Sequence, residues 1–173
     1  MITLVPLATI APAQVEDLLD RAFGADRHTR TAYRIRSGTT AIPELSFAAL
    51  AEDGALLGTT QSWPVALACD EGGSRPMVMV GPVAVEPGLQ RGGIGRMLMR
   101  HMLDAALESD VPGHDALMLV GDPEYYSRFF GFTAERTGGW RLPGPYEQHR
   151  LLALGSAVPD CAGAVGPMLR QAA

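Results

Sequence analysis

The residues with the clearest chemical potential lie in one short turn, Gln90-Arg91-Gly92-Gly93-Ile94-Gly95. Glycines at 92, 93 and 95 leave backbone N–H groups free of side-chain cover, so several can converge on one anion. A helix starting at such a turn adds the positive end of its dipole. Arg91 and Arg96 bring two guanidinium groups to the same mouth. The same spacing suits a strand-to-helix turn that merely packs tightly, and spacing alone leaves both readings open. Two familiar phosphate motifs do not fit. A P-loop ends in Gly-Lys-Ser/Thr, and all 14 basic residues here are arginine. A dinucleotide fingerprint is Gly-x-Gly-x-x-Gly after the first strand of a βαβ unit, whereas this turn sits mid-chain with different glycine spacing.

Other chemistry-bearing residues are scattered. Tyr125 and Tyr126 each stand four residues before a phenylalanine (Phe129, Phe130), the spacing of an aromatic packing stripe. Glu86, Asp122, Glu124 and His149 are candidate general bases that read equally as caps or solvated charges. Trp63 and Trp140 suit either an acceptor pocket or a partly buried structural role. His101 and His114 read as a helix-surface and a loop residue. Cys69 and Cys161 show no metal-ligand spacing; a single disulfide could join them, but free thiols in a reducing cytoplasm are the expectation. No metal is expected.

The 173 residues suit a single compact domain, expected over 1–154 with a loosely ordered C-terminal tail over 155–173. A net charge of −5 argues against a nucleic-acid partner, because phosphate binding needs a basic surface. The N-terminus lacks the basic and apolar regions of a signal peptide, and no run of about 20 apolar residues is present. The expected location is cytoplasmic, with no membrane partner.

Ile2 to Leu7 reads as a strand, and Pro12 opens a helix carrying Val15, Leu18, Leu19, Ala22 and Phe23 on one face until Gly24. A weaker helix covers Arg30 to Arg36. Strands Leu45–Ala51 and Leu56–Val65 flank Asp53-Gly54, a hairpin mark. After a loop over Asp70–Pro76 comes a strand over Met77–Val85, apolar at both parities but interrupted by Gly81-Pro82, where proline cannot donate to a ladder. A helix from Gly95 to Ser109 buries Ile94, Leu98, Met102 and Ala105. Ala116–Val120 is a short strand. Asp122-Pro123 caps a helix over Glu124–Phe130 that Gly131 stops, and Arg150–Leu154 is a last strand. Hairpins first and βα units later indicate an α+β (mixed α/β) fold.

Val83 to Gly95 resembles motif A of the GCN5-related N-acetyltransferase (GNAT) superfamily, whose core is Gln/Arg-x-x-Gly-x-Gly/Ala. Tyr125-Tyr126-Ser127-Arg128-Phe129-Phe130-Gly131-Phe132 is similar to its motif B, an aromatic helix ending in Gly-Phe. The element order agrees over residues 2–154, and Leu142 to Leu154 is similar to a bacterial subgroup of predicted acetyltransferases. The resemblance implies a central, mostly antiparallel sheet splayed at the fourth strand, with helices on both faces. It implies acetyl-CoA as cosubstrate, with the pantetheine arm on the backbone of Val83 and Val85. It implies a pyrophosphate cradle at Gln90, Arg91, Gly92, Gly93, Gly95 and Arg96, with Ile94 turned into the core. Tyr126 matches the proton donor better than Tyr125. The implied reaction is direct acetyl transfer, in a ternary complex, to a primary amine of a small molecule or peptide; a homodimer is the implied assembly. A non-catalytic acyl-CoA-binding module would keep the same turn and remains the competing reading.

Overall fold

The computed structural model describes residues 1–169. Its strands β1 (Thr3–Pro6), β2 (Phe47–Leu50), β3 (Leu56–Cys69), β4 (Ser74–Val85), β5 (Leu117–Val120), β6 (Trp140–Arg141), β7 (Leu151–Leu154) and β8 (Gly163–Pro167) are hydrogen-bonded in the order β1-β2-β3-β4-β5-β7, with β8 on β3 and β6 on β8. The β4–β5 and β6–β8 pairs are parallel, and β1–β2, β2–β3, β3–β8 and β5–β7 are antiparallel. The expected mixed, mostly antiparallel sheet is therefore present. Two compact units form, one from Met1–His28, Ala41–Ser62 and Gly81–Ser109, the other from Thr29–Thr40, Trp63–Val80 and the chain from Asp110 onward.

In the first unit, β1 (Thr3–Pro6), β2 (Phe47–Leu50) and the start of β3 (Leu56–Cys69) make a meander. Gly54 turns the β2–β3 hairpin with φ 88, a left-handed position that suits glycine. Helix α1 (Pro12–Phe23) starts on its proline and stops at Gly24, φ 96, as its sequence predicts. It buries Val15, Leu18 and Leu19 against Leu7, Ala48 and Ala84. Each such aliphatic side chain contributes roughly 1.5–3 kcal/mol. Helix α3 (Ile94–Glu108) buries Ile94, Leu98, Met99, Met102 and Ala106. Its stripe runs through Ala106 where the sequence predicts Ala105, which is half-buried. Gly58 on β3 admits α3 closely: a Cβ there would lie 3.0 Å from Ile94 Cγ2 and 3.1 Å from Leu98 Cδ1.

The second unit holds α2 (Thr31–Ile35), the rest of β3, the start of β4 (Ser74–Val85), β5 (Leu117–Val120), α4 (Pro123–Phe130), β6 (Trp140–Arg141), β7 (Leu151–Leu154) and β8 (Gly163–Pro167). Its core gathers Ile35, Val65, Leu67, Met77, Met79, Met118, Trp140, Leu151 and Val165. The sequence expectations need three corrections here. β4 begins at Ser74, so the expected Asp70–Pro76 loop shrinks to a tight turn closed by Cys69 N–H on Gly73 O (3.0 Å). Residues 155–169 are not loosely ordered, because β8 pairs with Val65–Cys69 of β3 and with β6. The glycines and alanines that make this segment look weak permit the pairing: a Cβ on Gly163 would fall 2.3 Å from Ala68 O. The remainder of the expected tail, 170–173, lies outside the described residues. Finally, Cys69 and Cys161 are not free thiols but a disulfide, with Cα atoms 5.9 Å apart, joining the end of β3 to the segment before β8. Asp70 and Arg141 form a two-pronged ion pair at the same end (2.7 and 2.9 Å).

Candidate functional site

The glycine turn belongs to the first unit. β4 ends at Val85, and Glu86-Pro87-Gly88-Leu89 makes a tight turn in which Leu89 N–H donates to Glu86 O (3.0 Å). Proline at its second place and Gly88 (φ 94) at its third are what a type II turn requires. Gly92 N–H then donates to Leu89 O (3.1 Å), so this member of the expected cradle is committed to the turn. Gly93 follows at φ 79, ψ 8 as the N-cap of α3, and its carbonyl accepts Met97 N–H (3.0 Å). The N–H groups of Ile94, Gly95 and Arg96 are consequently the first of the helix, those an α-helix leaves without a carbonyl of its own. No side chain caps them. Gln90, Arg91 and Arg96 are exposed around this end, Gly95 is half-buried, and Ile94 is turned into the core at 4% exposure. Val83 and Val85 are half-buried on β4, flanking Ala84, which is fully buried.

Glu86 is held by Arg21 of α1 in a fork, Nε to Oε1 at 3.1 Å and Nη2 to Oε2 at 2.8 Å. The hydrogen bonds from Arg21 hold its carboxyl below the usual glutamate value. A carboxylate so engaged is a clamp between α1 and the end of β4, and a poor base at neutral pH.

The aromatic helix belongs to the second unit. Asp122 Oδ1 accepts Glu124 N–H (3.0 Å), Pro123 opens α4 and Gly131 (φ 82) ends it, each as its sequence predicts. The rings of Tyr125 and Tyr126 meet edge-on at 4.9 Å, and Tyr126 also lies near Phe130 and Phe132. Burial, then the neighbouring Tyr125 and Asp122, pushes the Tyr126 phenol up to about 12, with Arg150 acting the other way. The phenol therefore keeps its proton at every physiological pH. Gly121 makes its seat: a Cβ there would lie 2.5 Å from Tyr126 Cε2.

The remaining candidates have structural partners. Asp122 is a cap, Glu124 is an exposed first-turn acid, and His149 is exposed beside Glu147 (3.6 Å). Trp140 is 1% exposed and packed in the core of the second unit. Trp63 carries the Arg36 guanidinium 4.0 Å over its ring, with Tyr33 3.8 Å from the same cation. His101 packs on Phe47 (4.4 Å). Among the described residues no cluster of His, Cys, Asp or Glu suits a metal, and no helix is long and apolar enough to cross a membrane.

A sequence profile of the Acetyltransferase (GNAT) family matches residues 13–132, spanning both the turn and the aromatic helix. The chain belongs to the GNAT family. It is 28% identical over 155 residues to the uncharacterized N-acetyltransferase YhbS of Escherichia coli, covering 87% of each chain. The GNAT fold recurs in the crystal structure of that E. coli protein in complex with CoA (TM-score 0.70, 23% identity, covering 97% of this chain and 89% of that one). It recurs again in a GNAT family acetyltransferase from Brucella melitensis in complex with acetyl-CoA (TM-score 0.63, 24% identity, 97% and 96% covered).

Proposed function

We propose that the chain transfers the acetyl group of acetyl-CoA to a primary amine by direct attack. The observation that carries this reading is the turn itself. Gly93, left-handed at φ 79, opens α3, whose first turn no side chain caps, with Arg91 and Arg96 exposed at the same end. That is a site for a diphosphate, as a helix N-terminus with flanking cations provides. The CoA and acetyl-CoA complexes of the two similar proteins support the choice of anion.

The assigned roles follow the family's motifs. The backbone of Val83 and Val85 receives the pantetheine arm. The N–H groups of Arg91, Gly93 and Gly95, with the side chains of Gln90, Arg91 and Arg96, hold the pyrophosphate, while Gly92 shapes the turn. The neutral amine nitrogen attacks the thioester carbon, the C–S bond breaks, and the thiolate takes the phenolic proton of Tyr126. The proton lost by the amine leaves to water and the Tyr126 phenolate takes one back from water, because each carboxylate candidate already serves as a clamp, a cap or a solvated charge. A phenol pushed up to about 12 is fully protonated when the thiolate forms, while its burial also makes it a weaker acid than a free tyrosine.

The test is CoA release from acetyl-CoA across a panel of amines, with acetyl-CoA affinity measured separately. Turnover by the wild type and a large kcat loss in Tyr126→Phe with unchanged affinity is the expected result. Tight acetyl-CoA binding without turnover on any amine identifies the non-catalytic acyl-CoA-binding module instead.

A further inference from the structure

The first unit contains a pocket of about 260 Å³ that none of the roles above uses. Its wall is aliphatic, with Leu7, Ile10, Pro12, Val15 and Pro43, and its polar members are Glu16, Ser46 and Gln61. Ser46 is spent internally, donating to Ile42 O (2.8 Å) and accepting Ser62 N–H (3.2 Å). Glu16 forms an ion pair with Arg27, whose buried guanidinium also holds Asp20 (3.0 Å). Gln61 differs. It is 8% exposed, and its amide oxygen is buried with no hydrogen-bond partner in the structure. Leaving such an oxygen unpaired is destabilising, and a ligand N–H can satisfy it.

The place of Gln61 along β3 connects the pocket to β4. Glu86 N–H donates to Leu57 O (2.8 Å), and counting antiparallel from that pair sets Gln61 opposite Pro82. Counting from the other end of the hairpin, where Cys69 N–H donates to Gly73 O (3.0 Å), sets it opposite Gly81. The two counts differ by one residue, and both bring the backbone of Gln61 level with Gly81-Pro82, immediately before the strand segment assigned to the pantetheine arm.

We infer that this pocket is the acceptor subsite, and that the acceptor is a primary monoamine with a small aliphatic body. The aliphatic wall takes the body, and the Gln61 amide oxygen accepts an N–H from the nitrogen. Charge argues against a polyamine or a lysine-rich peptide: the wall's only carboxylate, Glu16, is already neutralised by Arg27. This inference rests on the acetyl-transfer reading.

The experiment compares cyclohexylamine and isobutylamine with spermidine and a lysine-containing peptide, by CoA release and by acetyl-CoA affinity. Wild type should favour the aliphatic amines at least tenfold in kcat/KM. Gln61→Leu and the pocket-filling Ile10→Trp should raise the KM for cyclohexylamine at least tenfold and leave acetyl-CoA affinity within twofold. In the wild type, NMR titration with cyclohexylamine should shift the Gln61 side-chain amide and the Ile10 and Val15 methyl signals, a readout that needs no variant to fold. Preference for spermidine or the peptide, an unchanged KM in both variants, or shifts confined to other residues overturns the subsite. Loss of acetyl-CoA binding by the wild type fails the acetyl-transfer reading itself. Intact binding with other amines acetylated fails only this inference.

Discussion

The edge of the Tyr126 ring fills the space where Gly121 would carry a Cβ: the two positions would be 2.5 Å apart at Cε2 and 2.9 Å at Cδ2. Backbone dihedrals do not demand this glycine, since its φ is not in the left-handed range. Space demands it. Gly121→Ala should therefore displace the ring, lower stability by about 1–3 kcal/mol as overpacking does, and reduce kcat. Chemical denaturation and CoA-release kinetics check it; unchanged values in both would mean that the ring is free to move.

Tyr126→Phe should reduce kcat by roughly 10²–10⁴, the usual worth of a positioned acid, while acetyl-CoA affinity stays constant. The pH dependence has a definite sign. The folded phenol titrates near 12, above its ordinary value of 10.0, so its burial favours the protonated folded state. That contribution is complete below pH 10 and is lost as pH rises through 12. Wild-type stability should thus fall over this window more steeply than that of Tyr126→Phe. No basic limb in kcat below pH 10 should come from this residue.

Glu86→Gln separates a clamp from a base. With Glu86 held by Arg21 below the usual glutamate value, its ion-pair contribution is present above about pH 4.5 and disappears as pH falls through the depressed value. The pair is largely solvent-exposed, so stability should change by less than about 1 kcal/mol. Turnover at pH 7 should drop less than tenfold. A loss of a hundredfold or more in kcat would make Glu86 a general base after all.

Reducing the Cys69–Cys161 disulfide, or replacing Cys161 with Ser, should cost about 2–5 kcal/mol, because the bridge spans 92 residues of chain. Melting with and without reductant measures it. Limited proteolysis should cut first near β8, which the bridge fastens to β3. Equal melting in both conditions would show that the β8 pairing and the Asp70–Arg141 pair suffice without it.

Much of this architecture is written in local sequence. The Gly24 stop, the Asp53-Gly54 hairpin and the Asp122-Pro123…Gly131 frame of α4 each depend on one residue's backbone preference, and each lies where that preference puts it. Ile94 is legible for a similar reason, since the helix period after the glycines points it inward. What stays hidden is nonlocal. β8 is built of small residues whose pairing depends on close approach to β3 across a long stretch of chain, and no window of sequence reveals that. The disulfide depends on the same approach. The Arg21–Glu86 fork and the Arg27 pairs join residues whose charges look merely solvated in the sequence. In the candidate site, the turn was legible from its glycines. Gln61 was not, because a single glutamine in a strand acquires meaning only once its burial and its place opposite Gly81-Pro82 are seen.

We assign the CoA pyrophosphate to the Gly93-capped start of α3. Gly93→Ala adds a Cβ at a left-handed φ of 79 where the nearest neighbour, Arg96 Nη2, is 3.9 Å away, so the backbone conformation and not crowding is tested. Calorimetric titration of wild type and Gly93→Ala with acetyl-CoA is the direct measurement. Saturable binding by the wild type is expected, weakened at least tenfold in the variant, with adenosine 3′,5′-bisphosphate (which lacks the bridging diphosphate) much less affected. Equal acetyl-CoA affinity in the two proteins, or no binding by the wild type, would contradict it.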